Sequence, residues 1–388
     1  MRPLSEWESW VSSRLDRLER DGLKRRISPA DRTSARTVRR EGPELVNFSS
    51  NDYLGLSRHP AVLAGAERDL RKGAGATASR LMAGTDYDYV ALENAVAFFK
   101  RTEAALVFGS GYLANIGTIP ALVGRRDAVF SDRLNHASIV DGIRLSGAAA
   151  YRYRHNDMQE LEQMLREAPE GGRKLIVTET LFGMDGDLAP LERIVDLKNR
   201  YGAALMIDEA HATGVLGPQG RGLAHQFGLE GEVDVSMGTF SKALGLYGGY
   251  IATKRSWADY LVSSARTFIY TTALPPAVVG GVGAAIEMVL GGDYLRERLT
   301  ELSAVFRKGL ADLGLDSGSR SHIHPVVIGS AAGVVGISAQ LEEIGVLAVP
   351  IRPPTVPDGS ARLRFSICAS HTEGDVEVAL DALKKVSG

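Results

Sequence analysis

Short apolar runs that alternate with helix-length stretches constrain the fold of this chain more than any other feature. Between about residues 45 and 275, six runs have the length and composition of buried strands, and helical spacing fills the intervals, as at 90–101 and 190–201. Strands joined by helix-length connections form a mostly parallel sheet with helices on both faces. We therefore predict an α/β fold. The six predicted strands are residues 106–108, 128–130, 174–178, 203–207, 233–237 and 249–252.

The two ends of the chain follow different patterns. Apolar residues recur at helical spacing over residues 4–23, which predicts an amphipathic helix. After Pro275 and Pro276 a long helical region continues to about residue 313, and short strands are predicted near 325–328 and 361–367. The predicted domains are an N-terminal helical arm at 1–45, a large domain with the mostly parallel sheet at 46–280, and a smaller α+β domain at 281–388.

Composition and charge narrow the classes of partner. The 388 residues are 44% hydrophobic, enough for a large core, and 45 Lys and Arg against 47 Asp and Glu leave a formal charge of −2. Neither nucleic acid nor an anionic membrane is therefore an expected partner. The single cysteine, Cys368, excludes an internal disulfide framework and a cysteine-rich metal site, and no metal site is predicted. Because Cys368 follows an apolar strand pattern, we predict a buried structural thiol.

Two stretches bear on cellular location. Residues 1–26 are charged throughout and lack the apolar core of a signal peptide. The least polar stretch, 275–290, is interrupted by glycines and by Glu287, so it is not predicted to span a membrane. We expect a soluble, cytoplasmic protein.

Two polar motifs follow neighbouring predicted strands. Asp208-Glu-Ala-His211 comes directly after one strand, and Lys242, in Thr239-Phe-Ser-Lys-Ala-Leu-Gly245, comes after the next. A carboxylate, an imidazole and a lysine beyond strand ends suit pyridoxal 5′-phosphate (PLP), because the lysine bonds to its aldehyde and the aspartate keeps the pyridine nitrogen protonated. Taken singly, a loop lysine is typically solvated and an aspartate after a strand is often a helix N-cap. The two motifs together, in this order and spacing, are far more specific than a lone glycine motif.

Two glycine-rich segments resemble phosphate-binding loops. Residues 73–78 mimic a dinucleotide-binding motif, but that motif requires a preceding strand and residues 60–72 read as a helix, so we exclude a Rossmann site there. Residues 108–115, Phe-Gly-Ser-Gly-Tyr-Leu-Ala-Asn, read instead as a strand end, a turn of small residues and a helix. Backbone N–H groups at the start of that helix could hold a phosphate, with an ordinary tight turn as the alternative.

Several further polar residues are candidates for ligand contacts. His136 could stack on a flat ring or act as an acid or base, although a lone loop histidine is more often structural. Asn51 could donate to a substrate carboxylate or simply form a turn. Arg352 and Thr355 lie in a stiff proline-rich loop, and Arg364 lies on the strand after it. Guanidinium groups suit bidentate binding of carboxylates, although solvated arginines are commoner.

These motifs together resemble a known enzyme family. From Asn47 to about His371 the chain resembles the α-oxoamine synthases, which are fold-type I PLP-dependent enzymes. The resemblance implies a PLP-dependent acyltransferase with a large sheet domain and a smaller C-terminal α+β domain. It also implies a homodimer whose subunits share their active sites. The matching segments are NFSSNDYLGLSRHP, FGSGYLANIG, DRLNHASIVDGIRLS, MDGDLAPL, DEAHATGVLG, TFSKALG and IRPPTVPDGSARLRFS.

The loop at 351–357 points to one branch of that family. It is most similar to the branch that joins L-alanine to a pimeloyl thioester of CoA or of an acyl carrier protein, with loss of CO2, in biotin biosynthesis. A sister branch, which joins glycine to a short acyl-CoA, remains an alternative. The same loop disfavours an aminotransferase or lyase of this fold. The intact Lys242, Asp208 and His211 disfavour a catalytically silent protein of this fold.

The resemblance implies roles for residues at matching positions. Lys242 bonds to the cofactor and moves the α-proton of the substrate, and Asp208 pairs with the pyridine nitrogen. His211 hydrogen-bonds the ring oxygen, and His136 stacks on the ring. The other implied cofactor contacts are Gly111, Tyr112, Thr239 and either Thr271 or Thr272, which would reach the cofactor of the partner subunit. The implied substrate contacts are Asn51 and Arg364 for the amino-acid carboxylate, and Arg352, Thr355 and either Arg25 or Arg26 for the acyl substrate.

Two positions depart from the family pattern. Gly183 stands where the family usually has serine, so one hydroxyl that contacts the cofactor is missing. Tyr89 stands where a histidine is common. We expect neither departure to abolish activity, but Gly183 leaves the local hydrogen bonding to the cofactor open.

Overall fold

The computed structural model describes residues 5–315 and 318–387. Residues 1–4, which include the first residue of the predicted N-terminal helix, lie outside the described residues, as do 316, 317 and 388 of the predicted C-terminal domain. The chain forms two compact units. The larger consists of Asn51–Gly183 and Asp187–Arg298, and the smaller of Met1–Ser50, Met184–Gly186 and Leu299–Gly388.

A seven-stranded sheet forms the centre of the larger unit. Its strands, in spatial order, are Ala104–Phe108, Gly249–Thr253, Val235–Thr239, Ala204–Asp208, Lys174–Glu179, Ala128–Asp132 and Ala149–Tyr153. The last five of these are mutually parallel, and Gly249–Thr253 is antiparallel to both of its neighbours. The predicted mostly parallel sheet and its six predicted strands are confirmed. The strand Ala149–Tyr153 at the edge of the sheet was missed.

The strands of this sheet are apolar because both faces of the sheet are covered. Leu175 and Met206 pack into one buried apolar cluster, whereas the adjacent Ile176 and Leu205 pack into another. Successive side chains along a strand point to opposite faces, so the two clusters cover the two sides of the sheet. Burying one such side chain contributes about 1.5–3 kcal/mol to folding. Continuous apolar runs, rather than alternating ones, follow from this arrangement.

Helices pack on this sheet at the predicted positions. The prediction at 90–101 corresponds to Tyr87–Lys100, whose N-cap Asp86 accepts a hydrogen bond from the Tyr89 N–H. The helix Pro60–Leu70 precedes Gly73, as predicted, where a dinucleotide-binding motif would require a strand. The helices of four or more residues in the larger unit are Pro60–Leu70, Tyr87–Lys100, Gly111–Leu122, Ala137–Ser146, Met158–Glu167, Leu191–Tyr201, Leu223–Gln226, Arg255–Ser264, Arg266–Ile269 and Pro276–Leu290. Three short 3-10 turns lie at Leu56–Arg58, Pro218–Gly220 and Glu230–Glu232.

The smaller unit contains two small sheets and its own helices. Its helices are Glu6–Arg20, Ala331–Glu343 and Glu373–Ser387, and Asp293–Asp312 has residues in both units. One sheet has the order Asp31–Arg32, Thr37–Arg39, Glu44–Asn47 and Val346–Leu347, and the other Ile323–Gly329, Ala361–Ser366 and Pro350–Ile351. The predicted strands near 325–328 and 361–367 are confirmed. Cys368 is 2% exposed, as expected of a buried structural thiol.

The predicted helical region from residue 275 to about residue 313 is interrupted near Gly291 and Gly292, between Pro276–Leu290 and Asp293–Asp312. Among residues 5–315 and 318–387, no single helix is long and apolar enough to cross a membrane. These two consecutive helices reach that length and apolarity only as a pair, and they are bent by 73°.

Candidate active site

The polar motifs meet at the carboxyl ends of neighbouring parallel strands in the larger unit. Asp208 ends its strand opposite Glu179 on one side and Met237 on the other, and Thr239 ends the strand that contains Met237. The loops that follow parallel strands emerge at this edge, where α/β folds place their ligand sites. The two sequence motifs at Asp208 and Lys242 therefore belong to one site.

Lys242 begins a chain of hydrogen-bonded side chains. Its Nζ lies 2.9 Å from His211 Nε2, and His211 Nδ1 lies 2.7 Å from the Tyr53 hydroxyl, which donates to Asn51 Oδ1 at 3.0 Å. A hydroxyl has one proton to donate, and Tyr53 gives it to Asn51. His211 therefore donates its Nδ1–H to Tyr53 and accepts from Lys242 at Nε2. The imidazole stands ready to orient the amine and to take a proton from it.

Asp208 accepts hydrogen bonds from two N–H donors. Its Oδ1 accepts from the Ala210 N–H at 2.9 Å and its Oδ2 from Asn115 Nδ2 at 3.0 Å, an arrangement that suits an acceptor-only carboxylate. Burial, reinforced by the charge of Asp208, raises the pKa of the neighbouring Glu179 to about 8. This shift favours the protonated form of Glu179, which reduces the repulsion between two buried carboxylates.

His136 lies in a loop that is held at Asp132, the residue that ends the preceding strand. His155 bridges Asp132 Oδ1 at 3.1 Å and Asp187 Oδ2 at 2.7 Å, and Asp132 also accepts from the Leu134 N–H. Although burial lowers the pKa of His155, these two carboxylates outweigh it and raise that pKa to about 10. A histidine cation between two carboxylates thus holds the loop that presents His136.

His136 is exposed to solvent, although many protein atoms lie near its ring and bury part of it. This partial burial lowers the pKa of His136. The charge of Lys242 lowers it further, whereas the charges of Asp208 and Asp141 oppose the shift. His136 therefore presents an accessible, preferentially neutral imidazole near Lys242 and Asp208.

The predicted phosphate site also lies at this edge of the sheet. Helix Gly111–Leu122 follows the strand Ala104–Phe108, and its N-cap Ser110 uses its hydroxyl to accept from the Leu113 N–H at 3.1 Å. The first N–H groups of the helix remain available for an anion. A Cβ built at Gly111 would lie 3.5 Å from Thr239 Cβ, so these two predicted cofactor contacts are neighbours.

The other predicted cofactor contacts occupy different surroundings. The Tyr112 hydroxyl donates to Asp141 at 2.5 Å, and the Tyr112 side chain is 43% exposed. Thr271 is half-buried and Thr272 is exposed, with its backbone paired to Ser79. Their predicted contact with a partner subunit stays a prediction.

Gly183, which stands where the family usually has serine, lies directly against the His211 imidazole. A Cβ built at Gly183 would lie only 2.2 Å from His211 Nε2 and 2.7 Å from His211 Cε1. The imidazole is hydrogen-bonded to Tyr53 at one nitrogen and to Lys242 at the other, so moving it away from an added Cβ would break these hydrogen bonds. Glycine at this position leaves the space in which His211 reaches Lys242.

Replacing this glycine should therefore weaken the site. We expect Gly183→Ala to displace His211, to weaken PLP binding and to lower kcat/KM by about 10²-fold, the effect of misplacing a catalytic group by about 1 Å. PLP affinity from a spectrophotometric titration and steady-state kinetics measure the two effects. Gly336→Ala, at a helical glycine whose added Cβ would meet nothing within 4 Å, is the control. Unchanged PLP affinity in Gly183→Ala would contradict the role of this space.

The second departure from the family pattern serves packing. Tyr89 is 2% exposed, its hydroxyl accepts from the Leu274 N–H at 3.3 Å, and the Arg80 guanidinium lies 3.8 Å from its ring centroid. Such a stacked cation contributes to the packing of a buried aromatic ring. Tyr89 thus stabilises the core of the larger unit.

Within the smaller unit, two predicted substrate contacts, Arg352 and Arg25, come together. Arg352 Nη1 donates to the Gly22 carbonyl at 2.5 Å, and Arg25 donates to the Pro353 carbonyl at 3.4 Å. Burial and then the charge of Arg25 lower the pKa of Arg352. The proline-rich loop and the basic N-terminal segment therefore form one positively charged cluster.

The remaining predicted substrate contacts of the smaller unit take no part in the hydrogen bonds of Arg352 and Arg25. Arg26 pairs instead with Glu19 at 3.0 Å, and the Thr355 side chain is exposed. Arg364 is buried on its strand and donates to Ser366 Oγ at 2.8 Å. The substrate roles of these residues stay predictions.

Four residues of the site were absent from the sequence-based prediction. Tyr53, Asn115 and Ser138 belong to segments that match the family pattern, and Asn115 is one of the few polar residues in a mostly apolar helix. That polarity was the available signal for Asn115. Glu179 ends an apolar strand, as Asp208 does. The four are Tyr53, Asn115, Ser138 and Glu179.

This set of residues fits PLP. Lys242 supplies an amine beside a hydrogen-bond acceptor, Asp208 a buried carboxylate for the ring nitrogen, and His136 an exposed flat ring for stacking. The start of the helix at Gly111 supplies N–H groups for the phosphate, and Gly183 keeps the space beside His211 open. These are the groups that a PLP site requires of the protein.

The whole chain is similar to proteins of known family. Residues 43–383 match the family model for aminotransferases of class I and II. The chain is 51% identical over 376 residues to a putative 8-amino-7-oxononanoate synthase of Geobacillus kaustophilus, covering 96% of each chain. It is 48% identical over 380 residues to the 8-amino-7-oxononanoate synthase of Geobacter sulfurreducens, covering 97% of each.

Solved structures agree. Serine palmitoyltransferase of S. paucimobilis, with PLP bound as its myriocin aldimine, superposes with a TM-score of 0.93 at 31% identity, covering 100% of this chain and 98% of that one. The 8-amino-7-oxononanoate synthase of Francisella tularensis has a TM-score of 0.76 at 28% identity, covering 88% and 97%. Motifs, fold and relatives lead to one conclusion. The chain belongs to the 8-amino-7-oxononanoate synthase family of fold-type I, PLP-dependent transferases.

Proposed function

We propose that this enzyme joins L-alanine to a pimeloyl thioester, with release of CO2 and the free thiol, to give 8-amino-7-oxononanoate in biotin biosynthesis. The contact of Lys242 Nζ with His211 Nε2 at 2.9 Å supports the proposal most strongly. Through this contact, the amine is held near the end of the strand that terminates in Asp208. Relatives at 45–51% identity that are named for this product support the choice of substrates.

The chain's own residues account for cofactor binding. PLP, when bound, supplies a protonated ring that stabilises a carbanion at the α-carbon of an amino acid. Asp208 would hold the ring nitrogen, Lys242 would bond to the aldehyde carbon, and the helix that begins at Gly111 would hold the phosphate. His136 would stack on the ring, and His211 would reach the ring oxygen.

Proton transfer is the task of Lys242. Once the amine of alanine has displaced Nζ from the aldehyde carbon, the released neutral Nζ removes the α-proton of alanine, and it later returns a proton to the same carbon after CO2 has left. The imidazole of His211 holds Nζ in place through Nε2, and the Tyr53 hydroxyl holds Nδ1 of the same imidazole. A positioned base of this kind contributes about 10²–10⁴-fold to a rate.

Substrate recognition is assigned to the polar groups that the family resemblance implies. Asn51 and Arg364 would bind the carboxylate of alanine, since amide and guanidinium donors suit that group. Arg352, Thr355 and either Arg25 or Arg26 would bind the acyl substrate, which CoA or an acyl carrier protein delivers. The proposal includes a cytoplasmic homodimer in which Thr271 or Thr272 reaches the phosphate of the partner subunit's cofactor.

The fold is shared with enzymes that act on other substrates. The serine palmitoyltransferase of Sphingomonas wittichii superposes at a TM-score of 0.93, above that of the Francisella enzyme, so the fold alone does not select the acyl chain. A sister activity that joins glycine to a short acyl-CoA, as in 2-amino-3-ketobutyrate CoA ligase, uses the same proton transfers. Sequence identity favours the alanine reaction, because the oxononanoate synthases reach 51% and the palmitoyltransferase 32%.

The test is a comparison of substrate pairs on the PLP-loaded protein. Free thiol, CO2 and the mass of the product are measured with L-alanine plus pimeloyl-CoA, glycine plus acetyl-CoA, and L-serine plus palmitoyl-CoA. The proposal requires thiol, CO2 and 8-amino-7-oxononanoate from the first pair alone. Product only from glycine plus acetyl-CoA would move the enzyme to the sister branch. No product from any pair, including the pimeloyl carrier-protein thioester, would overturn the proposal.

A further inference from the structure

A second chain of buried hydrogen bonds connects Asp208 to His136 in the larger unit. Asn115 Nδ2 lies 3.0 Å from Asp208 Oδ2 and 2.9 Å from Ser138 Oγ, and Ser138 Oγ lies 2.7 Å from His136 Nδ1. Asn115 is 0% exposed and Ser138 1%. Two side chains with no access to solvent thus lie between the carboxylate and the imidazole.

Close packing of two helices brings these side chains together. Asn115 lies on Gly111–Leu122 and Ser138 on Ala137–Ser146. A Cβ built at Gly142 would lie 3.0 Å from the Asn115 carbonyl oxygen, so glycine permits this close approach of the helix backbones. The connection is therefore built into the packing of the helices.

The direction of each hydrogen bond follows from the carboxylate. Asp208 can only accept, so the amide group of Asn115 must turn its NH2 toward Asp208; the flipped amide would set two acceptors 3.0 Å apart. The same NH2 donates to Ser138 Oγ, so the Ser138 hydroxyl directs its own proton to His136 Nδ1. The Ser138 backbone N–H also donates to Nδ1, at 3.2 Å. Nδ1 of His136 is therefore an acceptor, and the ring proton lies on Nε2.

We propose that Asn115 and Ser138 are positioning residues that connect Asp208 to His136 and hold the His136 imidazole in its neutral tautomer with the proton on Nε2. A neutral His136 ring would affect the bound cofactor electrostatically. A histidine cation stacked on a protonated pyridine ring would repel it, whereas a neutral imidazole stacks without that cost. The Nε2–H then remains as a donor for an oxygen of the substrate. This catalytic consequence rests on the proposed function, but the tautomer itself does not.

The charged groups around His136 do not by themselves select a tautomer. Lys242 disfavours a histidine cation, whereas Asp208 and Asp141 favour one, and burial raises the pKa of the nearby Glu179, which favours its neutral form. These charges influence whether the ring is protonated at all. The two hydrogen bonds from Ser138 determine which nitrogen carries the proton of the neutral ring.

Nuclear magnetic resonance of the PLP-loaded protein with ¹⁵N-labelled histidine tests the inference without reference to turnover. The His136 signals are assigned by their loss in His136→Gln. The wild type should show Nδ1 without a proton and Nε2 with one at neutral pH. Ser138→Ala should lower the ratio of the two tautomers by about fivefold, the effect of losing one net hydrogen bond. It should also move the acidic limb of the kcat profile to higher pH, because a donor to Nδ1 that favours the neutral ring is gone.

Companion variants separate positioning from folding. Asn115→Ala should shift the tautomer ratio in the same direction as Ser138→Ala, and Ser138→Thr, which keeps the hydroxyl, should restore the wild-type ratio. Ser236→Ala is the matched control, because Ser236 is buried in the same unit and its hydroxyl has no hydrogen-bond partner within residues 5–315 and 318–387. Its tautomer ratio and pH profile should equal those of the wild type.

The outcomes are distinguishable. A wild-type His136 that carries its proton on Nδ1, or on both nitrogens at neutral pH, would overturn the inference. So would an unchanged tautomer ratio in folded Ser138→Ala. If alanine and pimeloyl-CoA proved not to be substrates while the tautomer and its response to Ser138→Ala were as described, the proposed function would fail and the assignment of Asn115 and Ser138 would stand.

Discussion

Lys242→Ala should lower turnover by more than about 10⁴-fold, because it removes both the group that bonds to the cofactor and the base that moves the α-proton. The fold should persist. Lys242 is half-buried at the edge of the sheet, and its loss leaves His211 Nε2 without one donor, at a cost of about 1 kcal/mol. Turnover, the visible absorbance of the bound cofactor and the thermal unfolding temperature together measure the effect.

A matched lysine provides the control for this variant. Lys254 is exposed just before helix Arg255–Ser264, so Lys254→Ala removes the same charge at no predicted functional site. It should keep wild-type turnover and cofactor absorbance. Near-normal turnover in Lys242→Ala would show that another lysine carries the cofactor.

Asp208→Asn should lower turnover by about 10³-fold or more, because a neutral amide cannot hold the ring nitrogen of PLP in its protonated form. The two side chains have nearly the same shape, and the new amide oxygen can still accept from Asn115 or from the Ala210 N–H. We therefore expect a folded protein that still binds PLP. Its kcat should fall much more than its KM for alanine rises.

An exposed aspartate is the comparison for this change. Asp259→Asn, on helix Arg255–Ser264, alters the net charge by the same amount away from the site and should leave kcat unchanged. The tautomer of His136 offers a second readout, since Asp208 anchors the hydrogen bonds that reach it through Asn115. Wild-type kcat in Asp208→Asn would remove Asp208 from the mechanism.

The strands of the central sheet could be located from sequence for a physical reason. Strands buried on both faces need continuous apolar residues, and the six predicted runs have them. Ala149–Tyr153 lies at the sheet edge with mostly exposed or half-buried residues, so its sequence, which includes Arg152, carries no such run. Gly249–Thr253 was located, but the same apolar run serves a parallel or an antiparallel strand, so its direction could not be read.

The motifs of the site could be located from sequence, but their hydrogen bonds could not. Lys242, His211 and Asp208 have side chains whose chemistry is recognisable in isolation. Tyr53 and Ser138 act through contacts across the fold, such as the bond between Tyr53 and His211, which are 158 residues apart. Only the packing of strands and helices determines such pairs. The effect of glycine at position 183 likewise depends on where the imidazole of His211 lies.

Borohydride reduction of the PLP-loaded protein, followed by proteolysis and mass spectrometry of the peptides, tests the central claim most directly, because it identifies the lysine that bonds to the cofactor. The arrangement of Lys242 beside His211 and near Asp208 predicts a pyridoxyl group on Lys242 alone. A pyridoxyl group on any other lysine, or on none, would contradict the account.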